Sequence, residues 1–210
     1  MTVIVAMVVN PKNGEKPYVL FGSDSLRVEY DLIDSEPVET GRDENQQKIF
    51  IVQNNLISFM GLFDTDISDL LKYLENNTTV ETKIEDIVDI AKEFIDRDLA
   101  REDSKTKYIT VLFGQIDNNG NPVFAYLEFD KARYKDANIE YIKLKESPDF
   151  DYIVSGPDNH PKELEDEYVY EIEQNDSIDA VKKSTEQFLK QLASLFPENC
   201  NQDIKIKCLV

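Results

Sequence analysis

Apolar residues run without alternation through positions 3–9, 18–21, 56–60 and 108–113. Runs this short, rich in Val, Ile, Tyr and Phe, predict strands. The missing polar face predicts that each strand is covered on both sides. Asn13-Gly14, at the tip of the polar segment 10–16, predicts an antiparallel hairpin between the first two runs. Asp117-Asn118-Asn119-Gly120-Asn121 predicts a second hairpin, between 108–116 and 123–129. Hairpins buried on both faces require further layers above and below them.

Helical periodicity supplies candidates for those layers. Ile67, Leu70, Leu71 and Leu74 follow i, i+3, i+4, i+7 within 66–75. A second helix is expected to open at Thr82, with Glu85 three residues on as a capping box. Its apolar stripe is Ile87, Ile90, Ala91, Phe94 and Ile95. A third starts near Ser177, carries Ile178, Val181, Phe188, Leu189, Leu192 and Leu195, and is stopped by Pro197. Ile204, Ile206 and Cys208 alternate with Lys205 and Lys207, which predicts a half-exposed closing strand at a sheet edge. The acidic stretch 162–176 reads as a solvated face or loop, and the polar stretches 31–47 and 131–150 as irregular. With no repeat and no linker, residues 1–210 are expected to form a single α+β domain.

Charge narrows the partners. Lys and Arg number 23 against 42 Asp and Glu, a net charge of −19. Such a surface repels phosphates, so neither nucleic acid nor an anionic membrane is an expected partner. No run approaches the roughly 18 apolar residues of a membrane span, and the N-terminus lacks the basic region of a secretion signal, so a cytoplasmic protein is expected. Cys200 and Cys208 read as buried free thiols. The single histidine, His160, sits in a polar run and reads as a surface loop residue. Catalysis built on histidine, a metal site and a cofactor are therefore all unexpected. Asp117–Gly120 is a poor calcium loop as well: Glu128 falls at loop position 12, but Pro122 stands at position 6, where a glycine is needed.

The order β–β–(β–β)–α–α–β–β–α–β, opening on an apolar strand that starts at Thr2, resembles the proteasome β-subunit family. The likeness is greatest to its short bacterial heat-shock branch, where only an initiator methionine precedes the threonine. Thr2-Val3-Ile4-Val5-Ala6 resembles the family's first strand, and Gly22-Ser23-Asp24-Ser25-Leu26-Arg27 the Ala-Asp-Ser-Arg that ends its second. Lys48-Ile49-Phe50-Ile51-Val52 is similar to the segment that begins with the active-site lysine. Leu56–Gly61 is similar to the strand ending at the oxyanion glycine, and Ser155-Gly156 to a later Ser-Gly. The resemblance implies a four-layer αββα sandwich of antiparallel sheets and a threonine-type N-terminal-nucleophile peptidase or amidohydrolase. It also implies a homo-oligomer, with a ring and an open assembly both in view, acting on peptide or protein; an ATPase unfoldase partner stays open.

The roles it implies have a physical rationale. Removal of Met1 would give Thr2 a hydroxyl and a free α-amine, which titrates near pH ~7.7–8.0 in model peptides and can serve as general base without histidine. Lys48 would keep that amine neutral, Asp24 would hold Lys48, the Gly61 N–H would bind the oxyanion, and Ser155 would assist proton transfer. Three features depart from the family pattern: Leu26 displaces the arginine, the loop 10–16 is long, and Glu198-Asn199-Cys200-Asn201-Gln202 keeps an acid but lacks the serine and glycine of Asp-x-x-Ser-Gly. Plainer roles stay open. Thr2 would then mark only methionine trimming, Asp24 would start a turn, Lys48 would be a solvated strand-end cation and Gly61 a packing glycine. On those roles the chain is a non-catalytic structural or regulatory subunit, or an unrelated α+β binding protein.

Overall fold

A computed structural model of the chain describes residues 3–33, 36–63, 65–102, 104–130, 138–143, 149–156 and 160–210, with the backbone alone at 30–33, 36–37 and 138–143. Among these residues there are eleven strands and four helices. The first six strands are β1 (Ile4–Asn10), β2 (Tyr18–Ser23), β3 (Arg27–Ile33), β4 (Glu36–Asp43), β5 (Ile49–Val52) and β6 (Asn55–Leu62). Helices α1 (Ile67–Asn77) and α2 (Ile84–Leu99) follow, then β7 (Tyr108–Ile116), β8 (Pro122–Asp130), β9 (Asn138–Lys143) and β10 (Asp149–Ser155). Helices α3 (Lys162–Gln174) and α4 (Ile178–Leu195) and strand β11 (Lys205–Leu209) complete the chain.

Among the described residues every strand pairing is antiparallel. One sheet runs β10-β1-β2-β11, a second β5-β6-β7-β8-β9, and β3 and β4 form a two-stranded sheet. The strand period of two explains why β1 has no polar face. Val5, Met7 and Val9 pack with Tyr168, Ile172, Val181, Phe188 and Leu192 of α3 and α4. Ile4, Ala6 and Val8 turn the other way, onto Leu56, Leu112 and Phe124 of the five-stranded sheet. The far face of that sheet, with Ile57, Phe59, Val111 and Phe113, packs on Leu70, Leu74, Ile87, Ala91 and Ile95 of α1 and α2. Each fully buried Val, Leu, Ile, Phe or Met side chain among these contributes about 1.5–3 kcal/mol.

Both predicted hairpins are present, β1–β2 and β7–β8. Gly14 turns the first at φ +83, a backbone angle that favours glycine. Asp117 closes the second, its carboxylate accepting the Asn119 and Asn121 N–H groups, so this segment is a turn. The long first loop has a structural task. Glu15 Oε2 accepts the Ile178 N–H at 3.0 Å, at the start of α4, and Asp176 Oδ2 accepts the Lys12 N–H at 2.8 Å.

Several expectations are corrected. The stretch 162–176 is largely helix α3: Tyr168 and Ile172 are buried one turn apart and Leu164 packs on the same cluster, a narrow stripe masked by the surrounding acids. Within 31–47 lie the end of β3 and all of β4, whose hairpin is exposed at Val38–Thr40 and so carries no burial alternation to read. β9 and the start of β10 fall in 131–150. The capping box at Thr82 is absent: α2 is N-capped at Lys83 with no side-chain bond, and the Thr82 hydroxyl accepts the Thr79 N–H at 2.8 Å. His160 is half-buried, with Nε2 2.9 Å from Glu165 Oε2. Cys200 is buried and Cys208 only partly so, both as free thiols. No helix among the described residues is long and apolar enough to cross a membrane.

Candidate active site

Three strands of one sheet end or begin around the first residue of β1. Ile4 lies between Ser155 of β10 and Ser23 of β2, and Ser23 lies between Ile4 and Lys205 of β11. The chain turns immediately after Ser23 because Asp24 Oδ2 accepts the Leu26 N–H at 3.0 Å, an Asx-type turn. The turn role open to Asp24 is therefore real, and it uses only one carboxylate oxygen. The other, Oδ1, accepts the Val3 N–H at 3.1 Å and the Lys48 ammonium at 2.7 Å.

Lys48 precedes β5 and is not solvated. Its side chain is 5% exposed and that of Asp24 is 1%. Its backbone is fixed by the Ser58 hydroxyl, which donates to the Lys48 carbonyl at 2.7 Å. Burial lowers the Lys48 pKa below the usual lysine value, and the Asp24 charge opposes that shift. Cys200 is pushed up to about 12, chiefly by burial and next by the Asp24 charge, with Lys48 pulling the other way. A buried cation, a buried anion and a protonated thiol thus lie together beside the end of β2.

Of the residues implied by the resemblance, Thr2 lies outside the described residues. Asp24 and Lys48 are in direct contact. Ser155 ends β10 in register with Ile4. Ser58 lies opposite Ile49, so β6 continues past the head of β5 toward Gly61 on the strand beside Lys48. Gly61 has φ +132, and a Cβ there would stand 2.4 Å from the Tyr108 carbonyl oxygen. The backbone demands glycine at this position whatever else its N–H does.

The segment before β11 also reaches the site. The Asn201 N–H approaches Asp24 Oδ2 at 3.4 Å, and Asn201 Oδ1 accepts the Ser25 N–H at 3.1 Å. The Ser25 hydroxyl is 2.9 Å from Asp203 Oδ2 and 2.7 Å from the Glu44 carbonyl, tying this segment to the base of the β3–β4 hairpin. Asn201 and Asp203 supply these contacts. Glu198, the acid that the sequence pattern pointed to, is exposed, and its carbonyl accepts from Arg42. Sequence reasoning also passed over Ser23, whose only signal was a serine where the family's motif has alanine.

No protein-family model matches this sequence, and no curated protein matches it either. Solved structures do match it in fold. Anbu (ancestral beta-subunit) from Yersinia bercovieri is 11% identical, over 99% of this chain and 82% of that one, with a TM-score of 0.56. Thiobacillus denitrificans BPH in complex with epoxomicin is 12% identical over 98% and 97%, with a TM-score of 0.56. A second structure of Thiobacillus denitrificans BPH gives 11% identity over 98% and 97%, with a TM-score of 0.55. At such identities the likeness is one of fold, and the fold is proteasome-like.

Proposed function

We propose that the chain is a threonine-type N-terminal-nucleophile amidohydrolase or peptidase whose nucleophile, Thr2, is exposed by removal of Met1. The observation that carries this reading is the buried Lys48–Asp24 pair, bonded through Asp24 to the Val3 N–H. Peptide geometry puts the carbonyl carbon of residue 2 about 1.33 Å from that nitrogen. An ion pair taken out of water contributes little net stability, because desolvation offsets its Coulomb attraction. A buried lysine with a lowered pKa, held by a carboxylate at the head of a strand, is better explained by chemistry done there.

In this scheme the α-amine of Thr2 takes the proton of its own hydroxyl, and the Lys48 ammonium favours the neutral amine and the developing alkoxide. Asp24 fixes Lys48. The Gly61 N–H donates to the tetrahedral oxyanion, and Ser155 assists proton transfer near the amine. The groove beside β5 and α1, lined by Gln47, Phe50, Ile51, Leu71 and Lys72, begins one residue before Lys48 and is the proposed approach for an extended peptide. The three stacked apolar clusters support reading the layers as an αββα sandwich. Assembly into a homo-oligomer belongs to the same proposal.

Intact mass and N-terminal sequencing of the natively produced chain test the first requirement, loss of Met1. The processed chain should hydrolyse short peptide amides and be acylated at Thr2 by threonine-directed electrophiles, and Thr2→Ala should abolish both. Retention of Met1, or a processed chain that is never acylated, would sink the enzyme reading. Such results would favour a non-catalytic subunit of the same fold. The missing serine and glycine at 198–202 and the backbone demand for Gly61 speak for that alternative.

A further inference from the structure

The five-stranded sheet ends on β5, whose strand partner among the described residues is β6. Gln53 and Asn54 connect the two strands with φ +46 and +62, as a two-residue type I′ turn requires. That turn bonds Val52 to Asn55, and bonded pairs alternate along an antiparallel ladder. Phe50 and Ile57 are therefore bonded to each other, whereas Ile49 and Ile51 point their N–H and C=O groups off the edge. Two side chains agree with this. Ser58, on the β6 side, donates to the Lys48 carbonyl at 2.7 Å, and Gln47 Nε2 donates to the Ile49 carbonyl at 2.9 Å. The Gln47 amide thus sits where the N–H of a further strand would be.

An open edge is a template for another strand, and native edges are commonly charged or bulged to prevent pairing. β5 instead carries Ile51, an apolar side chain 53% exposed. A groove of about 450 Å³ runs along it. One wall is a single face of α1, with Ser68, Leu71, Lys72 and Glu75 spaced i, i+3, i+4, i+7. Lys207 lines the groove from β11; it is paired with Phe21 and so lies on the inter-sheet side. Gln53 Nε2 donates to the Glu75 carbonyl at 3.3 Å and bridges the far end. Charge selects the occupant. The chain carries −19, yet this groove holds two cations against one anion, Glu75. Lys207 has no ion pair among the described residues, and Lys72 meets the exposed Asp69 at 3.5 Å, a weak pair.

We propose that β5 is a docking edge for an extended acidic peptide. The peptide adds as a further strand, displaces the Gln47 amide from the Ile49 carbonyl, and bonds the free N–H and C=O of Ile51. Its apolar side chains rest on Ile51 and Leu71, and its carboxylates face Lys72 and Lys207. Main-chain bonds then supply affinity, and the two lysines supply selectivity. The inference rests on the peptidase reading above, which it deepens by naming acidic peptides as the substrate class.

The test is fluorescence anisotropy with the full chain, Met1 retained so that the proposed nucleophile is blocked. The probes are labelled Thr-Val-Glu-Glu-Val-Thr and its lysine analogue Thr-Val-Lys-Lys-Val-Thr. Adjacent glutamates face opposite sides of a strand, one toward each lysine. The glutamate peptide should bind about tenfold or more tighter than the lysine peptide, and less tightly as salt rises. Lys207→Glu should weaken it about fivefold or more. N-methylation of alternate peptide amides should abolish binding in one register and leave it intact in the other. Ile51→Pro, which removes an edge N–H but no bond to β6, should abolish it as well. Equal binding of the two peptides, or equal loss from both methylation registers, would overturn the proposal. Binding of neither peptide would overturn it too; if Ile51→Pro then shifted the sedimentation of the chain, the edge would be the seat of a second copy. Docking here without cleavage by the chain freed of Met1 would refute the enzyme alone, and cleavage without docking would refute the docking edge alone.

Discussion

Replacing Asp24 by asparagine keeps the size of the side chain and one acceptor oxygen but deletes the charge facing Lys48. The ammonium would then sit 2.7 Å from a neutral amide in a site where the two side chains are 5% and 1% exposed. Breaking a buried pair by removing one partner costs about 3–5 kcal/mol, against about 0–1 kcal/mol for an exposed pair. In a chain of this length each kcal/mol moves the melting temperature by about 2–4 °C, so Asp24→Asn should lower it by about 6–20 °C. Lys48→Met should cost less, because the Asp24 carboxylate keeps the Val3 and Leu26 N–H bonds at 3.1 and 3.0 Å. The double variant should recover much of the loss of Asp24→Asn.

The pH dependence has a definite sign. Burial already lowers the Lys48 pKa, and without Asp24 it falls further. Below the ordinary lysine value the unfolded chain then binds more protons than the folded one, so stability rises with pH. The penalty of Asp24→Asn should therefore shrink between pH 7 and pH 9.5. Urea and thermal unfolding of the four chains at both pH values measure this. A penalty under about 1 kcal/mol at pH 7, the value of an exposed pair, would refute the buried-pair reasoning. So would a penalty that does not change with pH.

Gly61→Ala should cost several kcal/mol, from the strain of φ +132 together with the close approach to the Tyr108 carbonyl, and calorimetry should show it with or without any activity. Glu15→Ala removes the carboxylate that accepts the Ile178 N–H at the start of α4 and should cost about 1 kcal/mol, read as an earlier urea midpoint. With its thiol pushed up to about 12, Cys200 should resist iodoacetamide at pH 8 in the folded chain and react promptly in urea. The same shift predicts a stability contribution that is whole below pH 9, the thiol's ordinary value, and is lost as pH rises toward about 12, because only the unfolded chain then releases the proton.

The strands buried on both faces, their two hairpin turns, helices α1, α2 and α4 and the edge strand β11 are all legible in the sequence. Each is an element whose own periodicity or turn chemistry records its burial. β3 and β4 are not legible, because a hairpin exposed over much of β4 imposes no alternation. Helix α3 hides its few buried positions among acids. The candidate site was half legible. Asp24, Lys48, Gly61 and Ser155 could be named from order and spacing, but their sequence positions do not say that Lys48 is buried. Burial comes from the packing of the two sheets, which sets Lys48, just before β5, against Asp24, just after β2. The β2–β11 pairing brings Asn201 to Asp24 across 177 residues of chain, and the Ser23 hydroxyl is left unpaired among the described residues. Periodicity is a local record of which face is covered. What a covered polar group finds there depends on long-range register, and only the tertiary structure decides it.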